Sequence, residues 1–390
     1  MRNRLLPLSL AALLAACGSG SDPDAGKTAT DPVTVRIVAF NDLHGHIDPI
    51  GAEVPIPTAD GEEKAFVGGA ATLASAIAGI RAENPDTLVI SAGDLFGSSH
   101  LTSALFLDEP TVTVMNRMGL DFNAVGNHEF DSGLAELKRM QDGGCEKHTA
   151  LEPCALEAFE GAKFQFLAAN VLQDGKTIFP ASAMRTFGTG ANAVQVGIIG
   201  LTLKGTPFAT KGDVEALTFA DEADTINAET RRLRQQGADA IVVALHSGLT
   251  PFSTAPHDSC GGIAGPLREV LDRLEPGVDL VLSGHTHEAY ICDYSTVDPE
   301  RPMLITSAMR TGFMFTDITL TVNAGLGRVT DRTARNIVLQ RKARDARGLP
   351  VEHNPAFALY DSDDDIAAYV QRYSQMAKRV AAEVAATTRE

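Results

Sequence analysis

The stretch AVGNHEFDSG, residues 124–133, places Asn127, His128, Glu129 and Asp131 directly after a short apolar run. Taken singly, each residue is compatible with a surface turn, because Gly and Asn are common turn formers and charged side chains prefer water. A turn does not explain why amide, imidazole and carboxylate groups occur together within five positions. The sequence on either side of this stretch decides between a turn and a functional site.

From residue 33 onward the chain alternates short apolar, β-rich runs with segments of helical pattern. This alternation predicts an α/β architecture. The clearest runs cover residues 33–40, 87–92, 122–125, 163–171, 193–201, 240–245 and 278–283. Two later runs, 302–308 and 315–322, suit strands that close the domain.

Five of these runs are followed at once by side chains of the kinds that bind metals. In α/β sheets, ligands bind beyond the carboxyl ends of the strands, where the loops converge. We therefore expect these side chains to meet at one edge of the sheet. They are Asp42, His44, Asp94, Asn127, His246, His285 and His287.

The number and spacing of these residues favour two metal ions. Asp42 and His44 are two positions apart, as are His285 and His287, so in extended backbone each pair points to one side. Seven nitrogen and oxygen ligands exceed the three or four that one zinc ion takes from protein. Each residue alone is compatible with a turn, a helix cap or a loop role. Zn, Mn and Fe all suit such ligands.

Five motifs in order carry a resemblance to a known family. NDLHGH (41–46), SAGD (91–94), GNHEFD (126–131), ALHSG (244–248) and GHTH (284–287) resemble the calcineurin-like metallophosphoesterase superfamily. GNHEFDSG and the upstream stretch at 105–125 resemble its 5'-nucleotidase branch more narrowly. The resemblance covers about residues 33–340. It implies a catalytic domain with two packed sheets flanked by helices, a four-layer α/β/β/α sandwich.

The resemblance also implies roles for the residues that match. One divalent ion would be held by Asp42, His44, Asp94 and His287, and the other by Asp94, Asn127, His246 and His285. His128 would face the scissile phosphate and Asp131 would orient it. The implied activity is cleavage of phosphate monoesters, with 5'-nucleotides as the favoured substrates, by attack of a metal-bridging hydroxide.

Several neighbouring residues have two interpretations. The branch has Gln-Ala-Gly on the strand after GHTH, whereas this chain has Ser307-Ala308-Met309-Arg310, so Arg310 is either a replacement contact or a surface charge. Glu129 is either a solvated or a structural acid. We expect His46 near the site but not as a ligand. We expect surface or loop positions for the other histidines, His100, His148, His257 and His353.

Residues 341–390 are predicted to form a linker and a C-terminal helix. The helix should run from Asp363 to Thr387. Its stripe would pack on the catalytic domain, on a further part of a longer gene product, or on a separate partner such as a specificity subunit. No C-terminal specificity domain is expected here, so base specificity cannot be carried over from the branch. The stripe consists of Ile366, Val370, Tyr373, Ala377, Val380 and Val384.

The first 17 residues predict export. Arg2 and Arg4 precede the apolar run 5–16, which is too short to span a bilayer as a helix. The run ends in Leu-Ala-Ala-Cys at 14–17, which resembles a bacterial lipobox and implies lipid attachment at Cys17. An ordinary secretory signal is the alternative. Residues 18–32 suit a flexible tether between the lipid anchor and the folded body of the protein. The body would face the periplasm or the cell exterior.

Net charge and cysteine content limit the classes of partner and the roles of the cysteines. The net charge of −17 argues against nucleic acid as a partner, because nucleic-acid binding leaves a basic footprint. Four cysteines follow residue 17, and nearness suggests the disulfides Cys145–Cys154 and Cys260–Cys292. No C-x-x-C spacing supports a metal role for them.

Three competing functions share these features. Two are enzymatic and resemble the same branch: 2',3'-cyclic-nucleotide phosphodiesterase and the thiosulfohydrolases of sulfur oxidation. The third is a non-catalytic, nucleotide-binding surface lipoprotein. Retention of all the ligands together with His128 and Asp131 counts against the third.

Overall fold

The alternating segments fold into two six-stranded sheets with helices on their outer faces. The computed structural model describes residues 30–58, 61–251, 260, 263–345 and 347–387. The predicted signal and lipobox, and the tether up to residue 29, lie outside the described residues, as does His257. The helices are α1 (Ala70–Glu83), α2 (Leu101–Ala104), α3 (Glu109–Met118), α4 (Gly133–Asp142), α5 (Glu222–Gln235), α6 (Pro266–Leu271) and α7 (Asp364–Thr387).

The strands are most easily given in chain order. They are β1 (Val33–Phe40), β2 (Val54–Thr58), β3 (Gly61–Ala65), β4 (Leu88–Ser91), β5 (Phe122–Ala124), β6 (Gln165–Leu167), β7 (Val171–Gln173), β8 (Lys176–Thr177), β9 (Ser182–Phe187), β10 (Val194–Thr202), β11 (Thr218–Phe219), β12 (Ala240–His246), β13 (Thr250–Pro251), β14 (Ile263–Ala264), β15 (Leu280–Ser283), β16 (Ala289–Asp293), β17 (Leu304–Ala308), β18 (Met314–Asn323), β19 (Arg328–Val338), β20 (Gln340–Arg341) and β21 (Leu359–Tyr360).

Both large sheets have a parallel centre and antiparallel edges. The first has the order β19-β18-β1-β4-β5-β6, in which β1, β4, β5 and β6 are parallel. The second has the order β16-β17-β15-β12-β10-β9, in which β17, β15, β12 and β10 are parallel. The carboxyl ends of the parallel strands therefore emerge together at one edge of each sheet.

The apolar residues of each strand alternate between two cores, as the two-residue period of a strand requires. In β1, Val35 and Ile37 point into the core between the sheets, where they join residues such as Val196 and Val242 of the second sheet. Val38 and Phe40 point the other way, into the core with α1, α3, α4 and α7. Helices α5 and α6 cover the outer face of the second sheet. The expected four-layer α/β/β/α fold is confirmed.

One predicted strand differs in extent. The run 163–171 was expected to be continuous, but it forms β6 and β7 with a break between them. Asn170, at the end of the break, donates its amide to the carbonyl groups of Thr202 and Ala220 and accepts from the Thr202 amide. These side-chain hydrogen bonds occupy the backbone groups of neighbouring segments, so the chain leaves the first sheet there.

Helix α7 packs on the catalytic domain along only part of its predicted stripe. Ile366, Val370, Tyr373 and Ala377 are buried in the core that α1 and α3 also form. The Tyr373 ring meets the Phe106 ring at a centroid distance of 5.0 Å. Further along the helix, Val380 is half-buried, and the exposed fraction of Val384 is 57%. The first four turns therefore belong to the core, and the last turns do not.

Both expected disulfides are present. Cys145 and Cys154 are joined with a Cα–Cα distance of 5.6 Å, and Cys260 and Cys292 with one of 4.8 Å.

Among the residues that the structure describes, no helix has the length and apolar character that a membrane crossing requires.

The packing of α7 gives a stability prediction. Tyr373→Ala should lower the free energy of unfolding by about 3–5 kcal/mol, because it removes a buried ring from a closed core. Val384→Ala on the same helix should change it by less than about 0.5 kcal/mol. Urea titrations of both variants measure these changes. Equal effects of the two substitutions would contradict the assignment of the first turns of α7 to the core.

Candidate metal centre

The seven predicted ligands come together where the carboxyl ends of the two sheets meet. The first sheet delivers the side chains that follow β1, β4 and β5, and the second delivers those at the ends of β12 and β15. Ligand atoms form two groups, each with its atoms within 4.8 Å of one another. The first group is Asp42, His44 and His287, and the second is Asp94, His246 and His285.

Asp94 and Asn127 connect these groups. The Asp94 Oδ2 atom lies 3.0 Å from His246 Nε2 and 3.7 Å from His44 Nε2, so the carboxylate stands between the groups. Asn127 Oδ1 lies 2.9 Å from His285 Nδ1. The Asn127 amide donates to the carbonyl of Ala209, which leaves Oδ1 as the atom that faces the second group.

Backbone carbonyls hold two of the imidazole rings in the form that binds metals. His44 Nδ1 donates to the carbonyl of Gly97 and His246 Nδ1 to that of Ala92, both at 2.9 Å. Since a carbonyl only accepts, Nδ1 carries the hydrogen in each ring and Nε2 presents its lone pair. A partner on the second ring nitrogen is the usual way in which proteins orient a metal-binding histidine.

The contacts between the ligand atoms show that this set fits cations. His44 Nε2 lies 3.2 Å from His287 Nε2. His246 Nε2 is buried without a hydrogen-bond partner, although it lies beside Asp94 Oδ2. Burial lowers the pKa of His246, but Asp94 outweighs burial and raises that pKa to about 10. Each of these close approaches between lone pairs becomes favourable once a proton or a metal ion lies between the atoms.

The backbone at the ligands is left-handed, and the expectation of extended backbone is therefore wrong. The φ angles of Asp42 and His44 are 51° and 50°, and those of His285 and His287 are 73° and 61°. Asp94 also has a φ of 50°. This conformation costs roughly 1–2 kcal/mol per residue for an L-amino acid, but Asp and His tolerate it better than most. The side chains of Asp42 and His44 still lie in one ligand group, whereas His285 and His287 lie in different groups.

Glu129 connects two of the ligand loops. Its exposed fraction is 2%, and its carboxylate accepts from the backbone amides of Asp94, Leu95 and Gly126 at 2.7–3.0 Å. Burial, together with the charge of Asp94, raises the pKa of Glu129 to about 8. Of the two interpretations of Glu129, the structural one is confirmed. A side chain at Gly126 would come within 2.2 Å of Asp94 Oδ1, which explains the glycine.

His128 and Asp131 form a pair beside the ligands. They lie on one turn of 3-10 helix, and His128 Nδ1 donates to Asp131 Oδ2 at 2.8 Å. This hydrogen bond raises the pKa of His128. The other donors to Asp131 are the Ser98 and Lys211 amides and the Thr210 hydroxyl. With its carboxylate held by four donors, Asp131 fixes the orientation of the imidazole.

A cavity of about 390 Å³ opens onto His128 and onto two of the ligands, His44 and His287. It is lined by His44, His46, Ile50, Ser98, His128, His287, Arg310, Thr311 and Phe313. His46 therefore lies at the site without belonging to either ligand group, as expected. Burial, with His100 nearby, lowers the pKa of His46 to about 4. His100, His148 and His353 are exposed, and none of the three lines the cavity.

Sequence reasoning missed several residues that support the site. Asn41 donates to Asp42 Oδ2 and to the Met309 carbonyl, both at 2.6 Å. Thr210 and Lys211 reach Asp131 from a loop after β10 that carries no motif. The one available signal was the position of Asn41, which directly precedes a ligand at a strand end.

The contacts of Glu129 give a second stability prediction. Glu129→Ala should lower the free energy of unfolding by at least about 3 kcal/mol, because three buried N–H groups lose their acceptor at about 1 kcal/mol or more each. The exposed Glu215→Ala serves as the control. Urea titrations in the presence of chelator separate this loss from any effect of metal binding. A loss no greater than that of Glu215→Ala would refute the structural role.

Comparisons with known proteins agree with this geometry. A 47% identical, uncharacterized protein of Acinetobacter calcoaceticus, from the pqq-V 5' region, aligns over 194 residues, which are 47% of this chain and 95% of that protein. A probable 5'-nucleotidase of Treponema pallidum is 28% identical over 65% of this chain and 36% of its own length. The chain thus spans little more than a third of that relative.

The fold also matches solved structures. The NAD nucleotidase of Haemophilus influenzae superimposes with a TM-score of 0.64 at 18% identity, over 90% of this chain and 61% of that chain. The family model described as calcineurin-like phosphoesterase matches residues 35–289, more than half of the chain. The chain therefore belongs to the calcineurin-like phosphoesterase family of metal-dependent hydrolases, and its relatives include several 5'-nucleotidases, which supports the 5'-nucleotidase branch of that family.

Proposed function

We propose that this protein is an exported, dinuclear-metal phosphohydrolase that cleaves phosphate monoesters, with 5'-nucleotides as its substrates. One observation carries the proposal: Asp94 connects two ligand groups, and His128, held by Asp131, lines the same cavity as His44 and His287 of the first group. The substrate class is supported by the relative named as a probable 5'-nucleotidase.

The proposed ligand sets follow the two groups. Asp42, His44, Asp94 and His287 would hold one ion, and Asp94, Asn127, His246 and His285 the other. Two divalent ions, when bound, would supply positive charge to the phosphate oxygens and acidity to a water. Asp94 is suited to a shared position, because although burial acts to raise its pKa, His246 and His44 lower it and keep the carboxylate ionised.

His128 is proposed to act on the substrate. Its side chain lines the cavity, and its ring centroid lies 5.2 Å from that of His44. Since Nδ1 is committed to Asp131, Nε2 is the atom available to a phosphate oxygen or to the leaving oxygen. A protonated Nε2 can donate a hydrogen bond to the phosphate and then a proton to the leaving group. Asp131 favours that form through its own negative charge.

Export and lipid attachment at Cys17 complete the proposal. The signal-like sequence and the lipobox at residues 14–17 support it. The two disulfides also support it, since such bonds persist in oxidising compartments. Labelling of expressing cells with radioactive palmitate, with Cys17→Ala as the control, tests the attachment.

The first functional prediction concerns metal. The purified protein should release inorganic phosphate from AMP in the presence of Mn or Zn, and chelation should abolish the release. Elemental analysis should find two ions per chain. A panel of AMP, a cyclic nucleotide, UDP-glucose, a generic phosphate ester and a thiosulfonate-type sulfur ester, scored by product, ranks the enzymatic alternatives. Two bound ions without turnover of any substrate would favour a non-catalytic nucleotide-binding protein.

The second functional prediction concerns His128. His128→Ala should lower kcat by roughly 10²–10⁴-fold, the range typical of a lost general acid. The content of two ions should stay unchanged, because His128 belongs to neither ligand group. His353→Ala replaces an exposed histidine outside the cavity and serves as the matched control. Unchanged turnover in His128→Ala would refute its role even with both ions in place.

A further inference from the structure

Arg310 is the one side chain with a permanent positive charge among the described residues that line the cavity. The others are imidazole, hydroxyl or apolar side chains, and no carboxylate is among them. The chain as a whole has a net charge of −17, so a cation placed at the cavity runs against the general charge of the protein.

The backbone around Arg310 is fixed to the ligand loops of both sheets. The carbonyl of Met309 accepts from Asn41 Nδ2 at 2.6 Å, and the amide of Thr311 donates to the Asp42 carbonyl at 2.7 Å. The Met309 amide donates to the carbonyl of Glu288, the residue after His287. Met309 and Thr311 both have left-handed backbone, with φ of 60° and 52°. Arg310 thus projects from a loop with little freedom to move relative to the ligands.

The Arg310 guanidinium makes little contact with the other described residues. The Arg310 side chain is exposed, and its Nη1 lies 3.3 Å from His287 Nδ1. No ion pair joins it to a carboxylate among the described residues. Arg36 and Arg139, by contrast, each pair with carboxylates of the core. Structural stability therefore does not account for an arginine at position 310.

The hydrogen-bonding roles at the contact between Arg310 and His287 change once His287 binds a metal. His287 Nε2 faces Asp42 Oδ1 at 3.3 Å and His44 Nε2 at 3.2 Å, so Nε2 is the atom that would hold an ion. The hydrogen of the neutral ring then lies on Nδ1, which becomes a donor like the arginine. Two donors that face each other need an acceptor between them, and a phosphate oxygen is such an acceptor.

We infer that Arg310 is a substrate-binding residue that holds the phosphate group of the substrate together with His287 Nδ1. This inference rests on the proposed function. Arginine suits the task because its planar group donates two parallel hydrogen bonds to a phosphate. A phosphate held there would have His44 and His287, two ligands of the first group, and His128 on the same cavity wall.

Phosphate binding tests the inference directly. The dissociation constant of inorganic phosphate is measured by calorimetry on the metal-loaded protein, with KM and kcat for AMP alongside. Arg310→Gln should weaken phosphate binding at least tenfold and raise KM. Arg310→Lys should recover part of the loss, because lysine keeps the charge but not the two parallel donors. Arg379→Gln, an exposed arginine of α7 outside the cavity, controls for net charge and should stay within twofold of the unaltered protein.

The possible outcomes separate the two proposals. Phosphate affinity of Arg310→Gln equal to that of Arg379→Gln, while the unaltered protein binds phosphate and hydrolyses AMP, would overturn the role of Arg310 alone. A loss of affinity accompanied by loss of metal, seen by elemental analysis, would also overturn it, because Arg310 would then act by holding His287. An unaltered, metal-loaded protein that neither binds phosphate nor hydrolyses any ester would overturn the proposed function itself.

Discussion

The apolar contact between the two sheets is the interaction on which the metal centre depends. Val35 and Ile37 of one sheet lie in the same core as Val196 and Val242 of the other, and this contact holds the parallel strands with their carboxyl ends at a common edge. One sheet contributes four of the predicted ligands and the other contributes three histidines. Because each ligand group draws on both sheets, neither sheet could form a site alone. The energy that orders the ligands is thus mainly the hydrophobic energy of the sandwich.

Around the ligands, a layer of ordinary hydrogen bonds converts this approximate placement into a defined geometry. The carbonyls of Gly97 and Ala92 select the hydrogen position on two rings, and the Glu129 carboxylate ties the Asp94 loop to Gly126. Asp131 does the same for His128. Such supporting contacts arrange the site before any ion or substrate arrives, so that little reorganisation remains for the reaction.

The sequence was sufficient to predict the parallel strands of both sheets, the edge at which polar residues follow them, and the set of residues brought together there, because period and order are local properties. It did not predict the edge strands β9, β16 and β19. The sequence was insufficient to predict features of local structure that depend on tertiary contacts. The left-handed backbone of Asp42 and His285 depends on the loops that pack around them, and the break before β7 depends on Asn170 reaching Thr202. Glu129 is buried because the Asp94 loop packs against it. No sequence pattern around Glu129 indicates this contact.

The left-handed loops also narrow the choice of residue at five of the seven ligand positions. Aspartate and histidine are metal ligands, and with asparagine they are the non-glycine residues that enter this backbone conformation most readily. Chemistry and conformation therefore select the same few amino acids at positions such as Asp94 and His287. In evolution, a descendant that lost its metals would no longer need metal-binding side chains at these positions. Its backbone would still have to adopt the left-handed conformation there. Glycine and asparagine, rather than alanine, are then the substitutions that such a lineage would accumulate at these sites.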